Sequence, residues 1–516
     1  MTWTLSDLLA RTPVQALRGD PGTVIHGLAY DSREVRPGFL FFALAGLHAD
    51  GHRYIDAAVA AGAVAVAHTA EPAAYAPGVA YVRVPDSRFA MSAIADAFWG
   101  SPSRSLAVVG VTGTEGKSTT VWLAYRLLDL LGRKAGFVST VEYRVAGSVE
   151  PNPEHQTTPE ATTIHAKLAA MAANGLDYAV LEASSHGLSE LTNRLGDVAF
   201  DVGVMTNVRH EHLEFHGTWE RYRDDKARLF AALDADVHRK AVSGRPMDVP
   251  SFGVVCADDP SADVFRAATS QPVYSYSMRG TAADLMAVEV RDDDRGASFV
   301  IRDGKDSYPA RIELPGAFNV ENVLAAVLVV SRLTGETLET IVPLLPRLEP
   351  VRGRMTRVDR GQPFEVLVDY AHTPTSFETI LPPLRARVKG RILCVFGSGG
   401  ERDTLKRPEQ GRIAARYCDI VILSDEDPRG EDPLALLEDI AAGCGDLPRG
   451  ERLFLIPDRA AAIRKAMAMA QPGDVVLLLG KGHENTIIYS RGSSKTIPWN
   501  EIEEARTALA EAGYRD

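Results

Sequence analysis

The chain has 516 residues, 45% hydrophobic and 24% charged, with a formal net charge of -12 at pH 7. This length exceeds what one core organises, so about two to four domains are expected, and the acidic balance offers no electrostatic footprint for nucleic acid. Its four cysteines, Cys256, Cys394, Cys418 and Cys444, form no C-x-x-C pair, which argues against a thiolate zinc site and suits a reducing compartment. Asp7 and Arg11 interrupt the N-terminal stretch where a secretory signal would be continuous, and the weakly polar run Ala57 to Ala67 falls short of the roughly 20 apolar residues needed to span a bilayer. A cytoplasmic protein without a membrane span is expected.

The turn-rich stretch Trp99 to Ser105 precedes the apolar run Leu106 to Val111 and places a first boundary near residue 103. From there β-branched runs alternate with helical ones. LAVVGV is followed by TTVWLAYRLLDLLG, YAVLEA by HGLSELTNRL, and DVGVMTNV by TWERYRDDKARLFAAL, a pattern that predicts βαβ units and a parallel sheet. Pro343, Pro346 and Pro350 stop the preceding helix and mark a second boundary. Beyond it FEVLVDYAH, RILCVFGS, YCDIVILSD, RLFLIPD and DVVLLLGKG read as strands of a second open sheet. The fold class is therefore α/β, with a phosphate-loop sheet in the middle and a Rossmann-like sheet at the C-terminus.

Gly113-Thr114-Glu115-Gly116-Lys117-Ser118 lies at a strand-to-helix turn, where backbone N–H groups and the helix N-terminus favour anions. The usual spacing is altered: Gly113, three before Gly116, replaces the expected glycine five before it. Lys117 would meet the terminal phosphates of a nucleotide and Ser118 would ligate its Mg2+. A carboxylate at Glu115 is unexpected in such a loop; it is read as pointing away from the phosphates, toward solvent or a cationic neighbour. Glu182, at the end of its strand, could hold Mg2+ or cap the following helix. His210, His212 and His216 match no zinc spacing and leave open a metal ligand, a substrate contact or solvated imidazoles.

In this order the chain also carries GTEGKST, TTP, LEASSHGL, TNVRHEHLEFHGT, WERYRDDK, LPGAFNVEN, VRGRM, VDYAHTP, FGSGGERDTLKRP, DEDPRGEDP and LGKGHE. This set resembles the Mur ligases, and within them the type that adds a diamino acid to UDP-N-acetylmuramoyl-L-alanyl-D-glutamate. DSREVRPGFLFFALAGLHADGHRYI is similar to the nucleotide-sugar domain of that type. The resemblance implies a UDP-muramoyl-binding domain over residues 1–103, an ATP-binding domain over 104–349 and an amino-acid-binding domain over 350–516. It implies ATP and Mg2+ as cofactors, small-molecule substrates only, a monomer, and transfer of the γ-phosphate to the D-glutamate carboxylate to give an acyl phosphate that the amine attacks.

By the same resemblance Gly113, Thr114, Glu115, Gly116, Lys117, Ser118, Thr119, Asn319, Arg354, Asp369 and His372 surround ATP, and Lys117, Lys226, His212 and Glu182 serve catalysis. Ser118, Glu182, His212 and a carbamylated Lys226 are the implied metal ligands. Ser32, Thr157, Thr158, Ser184 and Arg194 would bind the muramoyl-peptide. Arg402, Glu426, Asp427, Pro428, Arg429, Gly480 and Glu484 would form the amino-acid pocket. Two departures stand out. Glu211 replaces an aspartate, keeping the charge. Asp427 replaces the asparagine of diaminopimelate ligases: Arg429 favours a distal carboxylate, whereas a carboxylate at Asp427 in place of a neutral amide would favour a side-chain ammonium and repel a distal carboxylate, so meso-diaminopimelate, L-lysine and L-ornithine all stay open. Other readings are a D-alanyl-D-alanine-adding or folylpolyglutamate-type ligase, or a regulatory phosphate-loop ATPase.

Overall fold

Every residue of Ala107–Thr112 is buried, as a strand covered on both faces must be, and this strand organises the first half of the chain. The structure, a computed structural model, describes all residues except 1–2, 47–49, 154–155, 210, 212, 236–237, 294, 490–494 and 516. The chain divides into two units, residues 1–284 with 325–337, and residues 285–324 with 338–516.

Two large sheets organise the first unit, beside two small antiparallel pairs. In the N-terminal one, Gly27–Ala29, Phe39–Phe42, Ala63–His68 and Ala80–Arg83 run parallel and Ala16–Arg18 closes the edge antiparallel. In the larger one, six parallel strands lie in the order Ala135–Val138, Tyr178–Glu182, Ala107–Thr112, Val202–Met205, Phe252–Cys256 and Val273–Ser277. The strand Ala107–Thr112 comes first in the chain and lies between later ones. Successive crossovers therefore leave it in opposite directions, and the cleft at its C-terminal end is a topological switch point where ligands bind.

In the second unit Glu365–Asp369, Val475–Leu479, Ile392–Phe396, Ile420–Leu423 and Leu453–Leu455 form a parallel sheet with Thr356–Arg357 antiparallel at its edge. All five runs expected as strands are in it. An antiparallel meander, Leu285–Asp292, Ala297–Asp303 and Asp306–Ile312, was not expected; in its middle strand burial alternates from residue to residue, as in a half-covered sheet.

The segment expected as a helix from His186 to Leu195 is helical only over Ser185–Leu188. Polar side chains compete with the helix ladder here: Thr192 Oγ1 donates to the Ser189 carbonyl at 3.3 Å, and Asn193 sits at φ 46°. No helix among the described residues is long and apolar enough to cross a membrane.

Candidate active site

At the switch point Gly113 has φ 148°, and a Cβ on it would lie 1.9 Å from Thr206 Oγ1, so no side chain fits. Gly116 is the N-cap of the helix Lys117–Leu130 and supplies no side-chain cap, which leaves the first-turn N–H groups to be met by an anion. The loop is stitched to the segment after Val202–Met205. Thr114 and Glu115 N–H donate to Asn207 O and Oδ1 at 2.8 and 3.0 Å, and Thr206 Oγ1 donates to the Glu115 carbonyl at 2.6 Å. Those two N–H groups are thus committed within the protein, and anion binding falls to the helix start at Gly116, Lys117, Ser118 and Thr119. Lys117 Nζ donates to Thr114 O at 2.7 Å, at the same loop. Glu115 is half-buried, and its charge opposes part of the burial that lowers the Lys226 pKa.

Glu182 is buried, and its Oε2 accepts from Ser118 Oγ at 2.9 Å, Thr140 N–H at 2.8 Å and Thr140 Oγ1 at 3.0 Å. It does not cap the next helix. Ser184 does that, accepting from Gly187 N–H at 3.1 Å. Thr158 Oγ1 donates to the Glu182 main-chain carbonyl at 2.9 Å and accepts from Ser184 N–H at 3.0 Å, so two of the expected muramoyl-peptide residues bind each other at the end of the Glu182 strand. Arg194 reaches Thr158 O at 2.9 Å and pairs with buried Glu160 at 2.9 Å; Thr157 is half-buried beside them. Ser32 lies in the turn after Gly27–Ala29.

Lys226, on the helix Trp219–Ala231, is 1% exposed and donates to Gly113 O at 2.6 Å, with its ammonium 4.4 Å from the Tyr222 ring centre. Burial, reinforced by Lys117, holds its pKa well below the ordinary lysine value. Tyr222 shares a hydrogen bond of 3.0 Å with Thr114 Oγ1 and donates to Glu211 Oε2 at 3.4 Å. His216 is not a solvated imidazole: it is buried between Asp225 (2.8 Å) and Ser185 (3.0 Å). His210 and His212, the latter an expected metal ligand, lie outside the described residues.

In the second unit Asn319 donates to Pro315 O at 2.7 Å and accepts from Asn322 at 3.1 Å. Asp369 ends the strand Glu365–Asp369 and accepts the N–H groups of Met355 and Ala371 at 2.7 and 2.8 Å; burial raises its pKa. Tyr370 is a hub, with Arg354 4.8 Å and the rings of His372 and His483 4.6 and 4.7 Å from its centre. The expected amino-acid residues occupy three adjacent strand ends of one sheet: Arg402 after Ile392–Phe396, Glu426 to Arg429 after Ile420–Leu423, and Gly480 and Glu484 after Val475–Leu479. Glu426 is buried, its Oε2 has no hydrogen-bond partner, and burial raises its pKa; a Cβ on Gly480 would sit 2.7 Å from that oxygen. Arg402 is exposed and Pro428 buried. Asp427 is not bare, because Lys481 Nζ donates to its Oδ1 at 2.9 Å. Part of its charge is therefore met within the protein.

Thr140, Glu160, Asn207, Tyr222 and Lys481 are site residues that the motifs did not single out. Two of them had a readable signal: Thr140 follows a parallel strand at its C-terminal end, and Lys481 lies inside GKGHE.

The side-chain-free cradle at Gly113 and the pairing of a hydroxyl with a carboxylate at Ser118 and Glu182 fit a Mg2+-nucleotide, whose metal takes few protein ligands and completes its shell with phosphate oxygens and water. Among the described residues no group of three or more His, Cys, Asp or Glu is placed to hold a metal. A doubly wound sheet with this loop at its switch point defines a nucleotide-dependent enzyme of the phosphate-loop class.

Comparison with known proteins narrows the class. The sequence matches the Mur ligase middle domain over residues 111–330, the Mur ligase glutamate ligase domain over 353–482 and the Mur ligase family catalytic domain over 24–99. It is 47% identical to the UDP-N-acetylmuramyl-tripeptide synthetase of Treponema denticola, with 98% of each chain covered. It is 38% identical to the UDP-N-acetylmuramoyl-L-alanyl-D-glutamate--2,6-diaminopimelate ligase of Geobacillus kaustophilus, with 96% of each covered. A solved 2,6-diaminopimelate ligase of the same description superposes with a TM-score of 0.64 at 29% identity, covering 99% of this chain and 100% of that one. The ADP complex of the MurF ligase from Thermotoga maritima shares the fold, with a TM-score of 0.62 at 21% identity over 94% of this chain and 97% of that one. The chain belongs to the Mur ligase family.

Proposed function

We propose that the protein is an ATP-dependent ligase that adds a diamino acid to UDP-N-acetylmuramoyl-L-alanyl-D-glutamate in peptidoglycan precursor synthesis. The observation that carries this reading is the convergence of the Gly113 loop, Ser118, Glu182 and Lys226 at one sheet edge, in a chain related over nearly its whole length to tripeptide synthetases. The domain division 1–103, 104–349 and 350–516 is supported by three family matches, over 24–99, 111–330 and 353–482, one inside each span.

In this reading the helix start at Gly116 to Thr119 and Lys117 bind the phosphates, Asp369, Asn319, Arg354 and His372 hold the nucleotide, and Thr158, Ser184 and Arg194 orient the muramoyl-peptide with Ser32 and Thr157. Ser118, Glu182, His212 and carbamylated Lys226 would hold Mg2+, which screens the anionic phosphate from the anionic carboxylate that must approach it. Burial disfavours the charged form of Lys226, the direction carbamylation needs, in which the amine adds to CO2 with loss of one proton to give the carbamate. The γ-phosphoryl group passes to the D-glutamate side-chain carboxylate with release of ADP. The amine of the diamino acid, seated in the pocket that Arg402, Glu426 to Arg429, Gly480 and Glu484 form, then displaces phosphate. The enzyme works as a cytoplasmic monomer on these small molecules.

The test is ligation with purified UDP-muramoyl-dipeptide, ATP, Mg2+ and meso-diaminopimelate, L-lysine or L-ornithine. Product tripeptide with stoichiometric ADP and phosphate is expected, and the preferred amine assigns the substrate. ATP hydrolysis that ignores both the dipeptide and the amine would instead mark a regulatory ATPase.

A further inference from the structure

Asp427 sits at the meeting point of the loops that carry the amino-acid pocket. Its Oδ1 accepts from Lys481 Nζ at 2.9 Å and from Ile488 N–H at 3.0 Å, and its carbonyl accepts from Gly400 N–H at 2.8 Å. The Lys481 side chain is 0% exposed and also donates to Glu484 Oε2. The carbonyl of Ile488 accepts from Arg429 N–H at 2.8 Å, so two residues of one segment grip the same residue of the neighbouring strand Thr486–Ile488. That grip holds Arg429 at φ 56°, a region that a non-glycine residue adopts only when its surroundings impose it. Arg429 Nε is left buried and without a hydrogen-bond partner among the described residues.

The Asp427 carboxylate therefore ties the segment that carries Arg429 to the GKGHE segment with Gly480 and Glu484, while its main-chain carbonyl holds the Gly400 segment that leads to Arg402. A neutral residue at 427 would leave the buried Lys481 to Glu484 alone and would draw that carboxylate away from any substrate amine.

We propose that Asp427 is a positioning residue: clamped to Lys481, it fixes Arg429 and Glu484 at the spacing the incoming diamino acid requires, and it does not itself choose between a side-chain ammonium and a distal carboxylate. This rests on the ligase reading above. It removes Asp427 as an argument against a distal carboxylate.

The experiment compares wild type with Asp427→Asn, which keeps an acceptor for Ile488 N–H and loses only the charge, with Lys481→Met, and with the double variant. KM is measured for each accepted diamino acid, for ATP and for the UDP-muramoyl-dipeptide. Asp427→Asn is expected to raise KM for every accepted amino acid by about tenfold, the usual effect of losing a supporting residue, while the other two KM values stay within about twofold. The double variant is expected to be no worse than the poorer single one. An unchanged amino-acid KM would overturn the clamp, as would a shift of preference toward diaminopimelate, which would make Asp427 a ligand. If wild type ligates none of the amino acids, the ligase reading is lost and melting temperatures decide the clamp: coupling between the two substitutions supports it and additivity overturns it.

Discussion

Gly113 shows how much one position can decide. Adding a single methyl group would set it 1.9 Å from Thr206 Oγ1, which itself anchors the Glu115 carbonyl, so Gly113→Ala must push the loop off the segment that shapes it. Titration calorimetry is expected to show ATP affinity at least about a hundredfold weaker for this variant, since misplacing phosphate-binding groups by an ångström costs that much in comparable sites. Glu182→Gln asks a different question, because it keeps an acceptor for Ser118 and Thr140 and removes only the charge. The Mg2+ concentration for half-maximal ligation is expected to rise about tenfold or more, and an unchanged Mg2+ requirement would remove Glu182 from the metal site. Both residues were legible in the sequence because each stands at a strand end in a local pattern. Thr140, Asn207 and Lys481 were not singled out: their partners lie 42, 92 and 54 positions away, so a strand-end or motif position shows that such a residue is near the site but not what it touches.

At the level of elements, strand ends are held in place by charges buried behind them. Arg459 begins the helix Arg459–Met469, and its side chain is 0% exposed. It donates to Ser424 Oγ at 3.2 Å, to the Asp425 carbonyl at 3.1 Å and to the Leu479 carbonyl at 2.7 Å, and it pairs with Glu501 at 2.6 Å at the start of the helix Glu501–Glu511. A single guanidinium thus fixes the exits of the two strands from which the Glu426 to Arg429 and Gly480 to Glu484 segments depart. Arg459→Met leaves Glu501 buried with Trp499 as its remaining donor, and calorimetry is expected to show a loss of about 3–5 kcal/mol. A companion Arg459→Met/Glu501→Gln variant should recover part of that loss, because the stranded charge is gone. The five strands of this sheet could be read from their apolar runs, whereas the meander over residues 285–312 escaped because half-covered strands mix polar and apolar residues. The four-residue helix at Ser185–Leu188 was over-extended for the opposite reason, an apolar spacing cut short by Ser, Thr and Asn side chains that bond their own backbone.

On the scale of the whole chain the sequence placed its domain limits at composition changes, whereas compactness groups the N-terminal sheet with the phosphate-loop sheet in one unit. Buried polar contacts across that junction explain the grouping. The helices Ser87–Phe98 and Ala161–Ala173 pack together, and between them His165, 0% exposed, places Nδ1 3.5 Å from Asp96 Oδ1; Asp96 Oδ2 accepts from Arg11 at 2.8 Å and Ser101 at 2.7 Å. Burial pushes the His165 pKa down to about 4, while the unfolded chain restores an ordinary histidine value. As pH falls from about 6.5 toward 4 the unfolded state therefore binds the proton first, and stability present above that window is lost within it, up to about 3 kcal/mol. Asp96 works the other way at the acid end, since burial raises its pKa and the folded form takes its proton first. His165→Gln stays neutral at every pH and lacks the first effect. Between about pH 7.5 and about pH 5 the melting temperature of wild type is expected to fall further than that of the variant. Equal falls would show that this junction carries no titrating histidine and that acid acts on the protein elsewhere.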